Sequence, residues 1–542
     1  MSKKSLVTSA AILGVAGIFV KLLGAFFRIP LTNWIGAEGM ANYAPAYAIY
    51  SVLLVVSTAG LPVATSKMVA ERYAVGQYKE AYRVFKISRV LMTALGVLGA
   101  VIVFFGAGPI AQLVHVPGAA LAMQATAPAL ILVPLMSSYR GYFQGQQNMN
   151  PTAISQIFEQ VFRVGCGLSL AYIMMNGVLF SETYDSGARG AAGGCFGASA
   201  GAFGGLLTVL ILYLMKRNAI RENILADHTT ERESAGQIIK NIVVIAIPIT
   251  IGASLLPLMN SIDAGIVNSR LQATGWSVNA AKDLYGQITS MADPIIGFPQ
   301  VLMAAIIVSI VPMVSAANRL EDKLELQNTI ALGLRMTTII GFPCVFGLLV
   351  LAKPALLLLY PLQPESASNA TPCLQVLAMG FIFLALVTTM TGILQGLGKQ
   401  NWPVINLAIG IIIKIIVTYI LVGIHSINIV GAAIGTMCAY ITASTLDFMC
   451  VKRFTDVKVP VAKTIVKPMI SALVMGVIVG FIYKGCFAII GSNSISTLVS
   501  IAIGACIYGV LIIKTHAIER NEIMAISIGR KIAPICDKLR LW

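Results

Sequence analysis

The chain has 542 residues, 57% of them hydrophobic and 11% charged, with a mean hydropathy of +0.84. Soluble domains carry about 45–50% apolar and about 25% charged residues, so a soluble fold is excluded and a polytopic membrane protein is predicted. The net charge of +16 would suit a nucleic-acid partner, but where the cations lie argues for membrane topology instead.

A membrane-crossing helix needs about 20 mostly apolar residues. Windows of that kind fall near 6–27, 41–63, 88–108, 121–139, 153–175 and 190–215, then, past a polar linker, near 241–262, 284–313, 331–352, 374–396, 403–424, 429–450, 464–484 and 495–514. An all-α integral membrane protein of fourteen transmembrane helices is predicted. An even number of spans puts both termini on one side. That side collects most Lys and Arg, including Lys67, Arg72, Lys79, Arg83 and Lys86 in one loop and Lys452, Arg453, Lys458, Lys463 and Lys467 in another. The opposite side holds Arg28, Arg189, Arg270, Lys282, Lys353 and Lys484. By the positive-inside rule both termini are predicted to be cytoplasmic, with attraction to anionic membrane lipids a secondary effect of the charge.

The first window follows two lysines, as a signal peptide would, but its length and the lack of a small-residue cleavage site favour a retained helix. On it, Gly14, Gly17, Lys21, Gly24 and Arg28 follow 3-4-3-4 spacing and share one face. A cation at bilayer depth costs roughly 2.5–3.5 kcal/mol on insertion scales. One reading has Arg28 marking the interface and Lys21 snorkelling toward it, with Gly24 allowing close helix packing. The other makes the pair a cationic strip facing a cleft, suited to a phosphate or diphosphate.

The chain repeats itself. "GYFQGQQNMNP" from Gly141 and "GILQGLGKQNWP" from Gly392 share G-x-x-Q-G followed by Asn and Pro, offset by about 251 residues. "GAAGG" at Gly190 is matched by "GAAIG" at Gly431, and "GLPVATS" at Gly60 by "IVPMVSA" at Ile310. A six-span unit inserts twice with the same orientation, which predicts two lobes related by a pseudo-two-fold axis along the membrane normal, with substrate bound between them. The expected division is 1–215 for the first lobe, 216–240 for a cytoplasmic linker, 241–453 for the second lobe, 454–514 for two appended spans and 515–542 for a cytoplasmic tail.

In the fifth window Glu159 and Arg163 are four apart and can pair on one helix face. Lys414 in the eleventh aligns with Arg163 under the same offset and has no local acid, so it is expected to face a cavity or an acid on another helix. Asp263 ends the seventh window and Asp293 precedes Pro294 in the eighth, where Pro294 and Pro299 predict a break or kink. An acid beside such a break can hold a coupling cation or proton, or cap freed backbone donors.

Enzyme motifs are weak. "GASAG" at 197–201 fits G-x-S-x-G, but a nucleophile elbow needs a strand before it, and Gly193, Gly197, Gly201 and Gly205 recur as a close-packing face. "GLGK" at 396–399 lacks the P-loop's earlier glycine and following Ser or Thr. The four histidines are scattered, and nine cysteines without C-x-x-C read as small apolar residues. No enzyme, cofactor, metal or nucleic-acid partner is expected.

The run "KLLGAFFRIPLTNWIGAEGMANYAPAYAIYSVLLVVSTAGLPVATSKMVAE" resembles the start of the stage V sporulation protein B group of the polysaccharide transporter family. That group belongs to the superfamily that also holds lipid II flippases and MATE drug exporters. The later "LYGQITSMADPIIGFPQVLMAAIIVSIVPMVSAANRL" from Leu284 extends the resemblance over essentially the whole chain. It implies a multi-pass flippase of the bacterial plasma membrane that moves a polyprenyl-diphosphate-linked saccharide outward by alternating access, in the company of envelope-synthesis enzymes. Lys21 and Arg28 around Gly24 match the basic cavity of lipid II flippases, with Lys414 and Arg163 as further substrate-binding candidates. The second span lacks that group's arginine, and the eighth has Asp293 and Pro294 in its place. A MATE-type cation-coupled exporter and a non-transporting scaffold for envelope synthesis are the alternative readings.

Overall fold

The computed structural model describes residues 3–177, 183–227, 229, 233–457 and 459–518; the side chains of residues 3–18, 21, 22, 25, 255, 256, 304, 305, 307–309 and 312 lie outside the described set. The described elements are all helical. In chain order they are α1 (Lys3–Thr58), α2 (Gly60–Ala74), α3 (Tyr78–Leu113), α4 (Ala119–Gly145), α5 (Asn150–Asn176), α6 (Ser186–Ala226), α7 (Ala235–Ala273) and α8 (Val278–Gly286). A π-helical segment, Gln287–Ala292, follows. After it come α9 (Asp293–Arg319), α10 (Lys323–Leu359), α11 (Pro364–Asn369), α12 (Thr371–Gly396), α13 (Asn401–Val422), α14 (Val430–Thr455), α15 (Lys467–Ile490) and α16 (Asn493–Lys514).

Among the described residues, twelve helices are long and apolar enough to cross a membrane. They coincide with twelve of the fourteen expected windows. Of the other two, 6–27 falls almost wholly on side chains outside the described set, and 284–313 is interrupted by the π-helical segment just ahead of Pro294. The first two windows share the range of α1 but form two helices joined by a kink between them. At the kink Gly36 leaves helical geometry, at φ 70° and ψ 177°, a left-handed backbone that glycine adopts without strain. In the eighth window Pro294 sits in the first turn of α9, where a missing N–H costs nothing, and Pro299 stands one turn further in. Tyr360 donates its hydroxyl to the Ser290 carbonyl at 3.1 Å, satisfying one of the groups the irregular π turn displaces.

The chain divides into two compact units, Met1–Gly286 and Gln287–Trp542. The first is cored by Tyr142, Phe85, Phe143, Met40, Met123 and Leu130, all under 2% exposed; Phe85 and Tyr142 stack at 4.6 Å. The second buries Tyr360 and Phe381 comparably. Outward-facing positions carry large apolar side chains such as Phe105, 77% exposed, and Ile489, 87%, as expected where the solvent is hydrocarbon.

Glycines set the helix crossings. A Cβ on Gly197 of α6 would lie 2.8 Å from the Gly167 Cα and 2.9 Å from the Arg163 carbonyl oxygen of α5. In the second unit, a Cβ on Gly435 of α14 would press on Thr418 and come within 3.1 Å of the Lys414 carbonyl oxygen of α13. Gly193 meets Leu170 and Ala171, and Gly431 meets Leu421 and Val422 in the same way. Gly145 of α4 rides on Val69 and Ser66 of α2, as Gly396 of α12 rides on Val314 and Val311 of α9. These pairs keep the 251-residue offset for α4/α12 and α5/α13. They pair Gly193, not Gly190, with Gly431, one turn from the match the letters suggest, and they move the α2/α9 register from Gly60 against Ile310 to Val69 against Val314. Small residues recur every three or four positions along these faces, so a string match can slip by a turn without losing identity.

Candidate functional site

Arg163 lies at the middle of α5, about 20 Å from either end at 1.5 Å per residue. The predicted pairing with Glu159 is not made. Glu159 instead accepts from Arg140 of α4 at 2.9 Å, and Arg140 also donates to the Ser155 hydroxyl at 2.8 Å. The interhelical partner wins because Arg140 is held on both Glu159 and Ser155, one turn apart on α5, and so fixes α4 against α5 with two donors. Arg163 makes no ion pair among the described residues. Its guanidinium carbon stands 4.9 Å from the ring centroid of Tyr47 and 5.9 Å from that of Phe27, a cation–π geometry.

Tyr47 belongs to a ladder. Tyr43 and Tyr47 are parallel at 5.7 Å with an interplanar angle of 7°, and Tyr47 and Tyr50 follow at 5.5 Å. Phe27 adjoins Tyr43 at 6.4 Å across the Gly36 bend. Arg28 and Arg163 both lie within electrostatic reach of Tyr43. The result is a wall of two arginines and three tyrosines. A guanidinium held face-on to a ring keeps its N–H donors at the rim, where they can fork onto a phosphate. The ladder was readable as Tyr43, Tyr47 and Tyr50 at i, i+4 and i+7 in "YAPAYAIY", a spacing that places all three on one face.

The other predicted residues are distributed as follows. The Lys21 side chain lies outside the described residues. A Cβ on Gly24 would meet nothing within 4 Å, so the close helix approaches of this unit lie elsewhere. Asp263 is half-buried on α7 in the first unit. In the second unit, Lys414 is buried at 5% exposure on α13, and Asp293 is exposed at the start of α9. Asp447 was passed over in the sequence, although an acid in the apolar window 429–450 should have marked it. It is fully buried on α14 and accepts from the Asn406 amide at 2.8 Å.

Ser199, centre of the G-x-S-x-G string, donates to the Ala125 carbonyl at 2.8 Å and accepts from the Ala129 amide at 3.2 Å. Its hydroxyl is inserted into the α4 hydrogen-bond ladder beside Pro128, a recognised cause of helix bending. No group of three or more metal-ligating side chains occurs among the described residues.

Long apolar helices, large apolar side chains on the outer surfaces and an arginine at the middle of α5 are those of a multi-pass membrane protein. Residues 6–318, more than half of the chain, match the family of polysaccharide biosynthesis proteins, and 288–420 match the MatE family. The chain belongs to the polysaccharide biosynthesis protein family, on its stage V sporulation protein B-like branch. It is 25% identical over 539 residues to stage V sporulation protein B of Bacillus subtilis (strain 168), covering 98% of this chain and 100% of that one. It is 26% identical over 494 residues to lipid II flippase MurJ of the same organism, covering 88% of each. Among solved structures, lipid II flippase MurJ in an inward closed conformation aligns with a TM-score of 0.64 at 15% identity, over 92% of this chain and 98% of that one.

Proposed function

We propose that this chain is a flippase for a lipid-linked oligosaccharide, lipid II or a related undecaprenyl-diphosphate saccharide, working by alternating access in cell-envelope synthesis. The observation that carries the reading is Arg163, a mid-span arginine held on Tyr47 rather than on a carboxylate, with Arg28 on the same tyrosine wall. A cation kept at that depth without a neutralising acid suits an anionic cargo. Lys21 and Lys414 are further proposed substrate-binding residues. Fourteen spans in two six-helix lobes, with both termini cytoplasmic and 454–514 appended, form the proposed frame; the matched glycine crossings of the two units support the repeat. Asp263 and Asp293 are the proposed ion-coupling residues, and Gly24, Pro294 and Pro299 the proposed hinge positions.

A second reading, a cation-coupled exporter, draws on the MatE match over 288–420. One experiment separates them. The protein is reconstituted in liposomes, and appearance of a fluorescent undecaprenyl-diphosphate saccharide in the opposite leaflet is followed by quenching, in parallel with efflux of a cationic dye. The flippase reading expects lipid translocation that Arg163→Met lowers by about tenfold or more, the scale of one charge-assisted contact of about 1.5–3 kcal/mol. Dye efflux without lipid movement would transfer the assignment to the exporter.

A further inference from the structure

A cavity of about 420 Å³ lies in the first unit. Gln112 near the end of α3, Gly118 in the turn to α4, Tyr184 and Asp185 ahead of α6, and Lys282 of α8 line it. Lys282 decides its chemistry. The residue is 7% exposed and has neither a hydrogen-bond nor an ion-pair partner among the described residues. Isolating an ammonium from water costs several kcal/mol unless something compensates its charge, and this one opens into the chamber.

The one carboxylate of the lining, Asp185, makes no ion pair with Lys282 among the described residues. The Asp185 carboxylate caps α6, accepting from the Ala188 amide at 2.6 Å, and the adjacent cation Arg189 is turned onto the backbone carbonyls of Gly177 and Asp185. Behind Gly118, the Asn42 side-chain oxygen is buried without a hydrogen-bond donor, 2.5 Å from where a Gly118 Cβ would sit. Glycine at 118 therefore leaves room beside an unsatisfied acceptor. The volume is far more than an inorganic ion needs and lies within the roughly 300–1,000 Å³ of small-molecule sites. Tyr184 and Gln112 offer a hydroxyl and an amide suited to sugar hydroxyls.

We propose that this chamber is a binding site for an anionic polar group of about monosaccharide size, with Lys282 contacting its carboxylate or phosphate. The inference is independent of the flippase reading, since it uses none of the arginine-wall residues and its test needs no translocation.

The full-length protein in phosphatidylcholine nanodiscs is titrated with N-acetylmuramic acid and with N-acetylglucosamine, which lacks the carboxylate, and binding is read by saturation-transfer NMR. Saturable binding of the acid, about tenfold or more tighter than the neutral sugar, is expected. Lys282→Met should remove that preference, Lys282→Arg should restore most of it, and Tyr184→Phe should weaken both sugars together. Adding phosphatidylglycerol to the nanodiscs names the source of the anion. Competition that Lys282→Met abolishes assigns a lipid phosphate, and no competition assigns a sugar acid; either supports the site. Equal binding of the two sugars, unchanged acid binding in Lys282→Met, or no saturable binding of the acid in either nanodisc would overturn the proposal.

Discussion

Arg163 rests on the face of Tyr47 at 4.9 Å, while Glu159, one turn earlier on the same helix, is bound to Arg140 of the neighbouring helix at 2.9 Å. Two cations and one acid thus divide so that the acid fixes helix packing and the mid-span cation keeps its charge. A site that must meet a diphosphate in a low-dielectric environment gains from that division, because an arginine already committed to a carboxylate would have to break a strong bond to bind cargo.

The Arg140–Glu159 pair is predicted to be structural. Both side chains are mostly shielded, at 11% and 21% exposed, so removing one partner strands a charge. Arg140→Met or Glu159→Gln alone should destabilise by about 3 kcal/mol, at the lower end of single truncations of buried pairs, and the double variant by less than the sum. Thermal unfolding in detergent checks this; additive effects would mean the pair is not coupled.

Glycine substitutions should split by position. Gly197→Ala drives a Cβ to within 2.9 Å of backbone atoms of Arg163 and Gly167, and backbone cannot step aside, so a loss of about 1–3 kcal/mol is expected. Gly435→Ala should behave alike in the second unit. Gly24→Ala, with nothing within 4 Å of the new methyl, should be neutral or gain up to about 1 kcal/mol from helix propensity. Melting temperatures of the three variants decide it.

The contacts of Asp227 at the end of α6 should loosen in acid. Burial pushes the Asp227 carboxyl up, but the Thr229 hydroxyl, the Lys79 amide at 2.7 Å, the Thr229 amide at 2.8 Å and the Lys79 charge outweigh it and hold the group at about 2. Unfolded, an aspartate titrates near about 3.9. The contribution is therefore complete above that value and drains away as pH falls through it toward 2. Hydrogen exchange at the Lys79 and Thr229 amides should rise over that window, and Asp227→Asn should flatten the pH response. Arg72, bound to the Glu233 carboxylate, and Arg83, on the Glu233 carbonyl, hold Glu233.

Much of the helical layout was legible, because hydropathy windows and glycine spacing follow from what lipid and close packing permit. The sharp kink at Gly36 was not, since no polar loop announces the break between the two helices of α1. Pairing also escaped. The i, i+4 rule is right about geometry on one helix and silent about Arg140 on the next, which reached Glu159 first. The tyrosine ladder was present as a spacing but went unused, and Asp447 was missed because its partner Asn406 is 41 residues away. Of the predicted cations, Arg28 and Arg163 share Tyr43 as a neighbour, a relation that only the bend between residues 28 and 43 creates.

The central claim is that the arginine and tyrosine wall binds a diphosphate lipid. Native mass spectrometry of the purified protein with undecaprenyl-diphosphate saccharides, lipid II included, against a panel of cationic drugs tests it most directly, with Arg163→Met and Tyr47→Leu alongside. The account predicts selective binding of the diphosphate lipids, weakened about tenfold or more in Arg163→Met and less in Tyr47→Leu, whose loss removes a cation–π contact of about 0.5–2 kcal/mol. Diphosphate-lipid binding that is indifferent to Arg163, or drug binding without lipid binding, would contradict it.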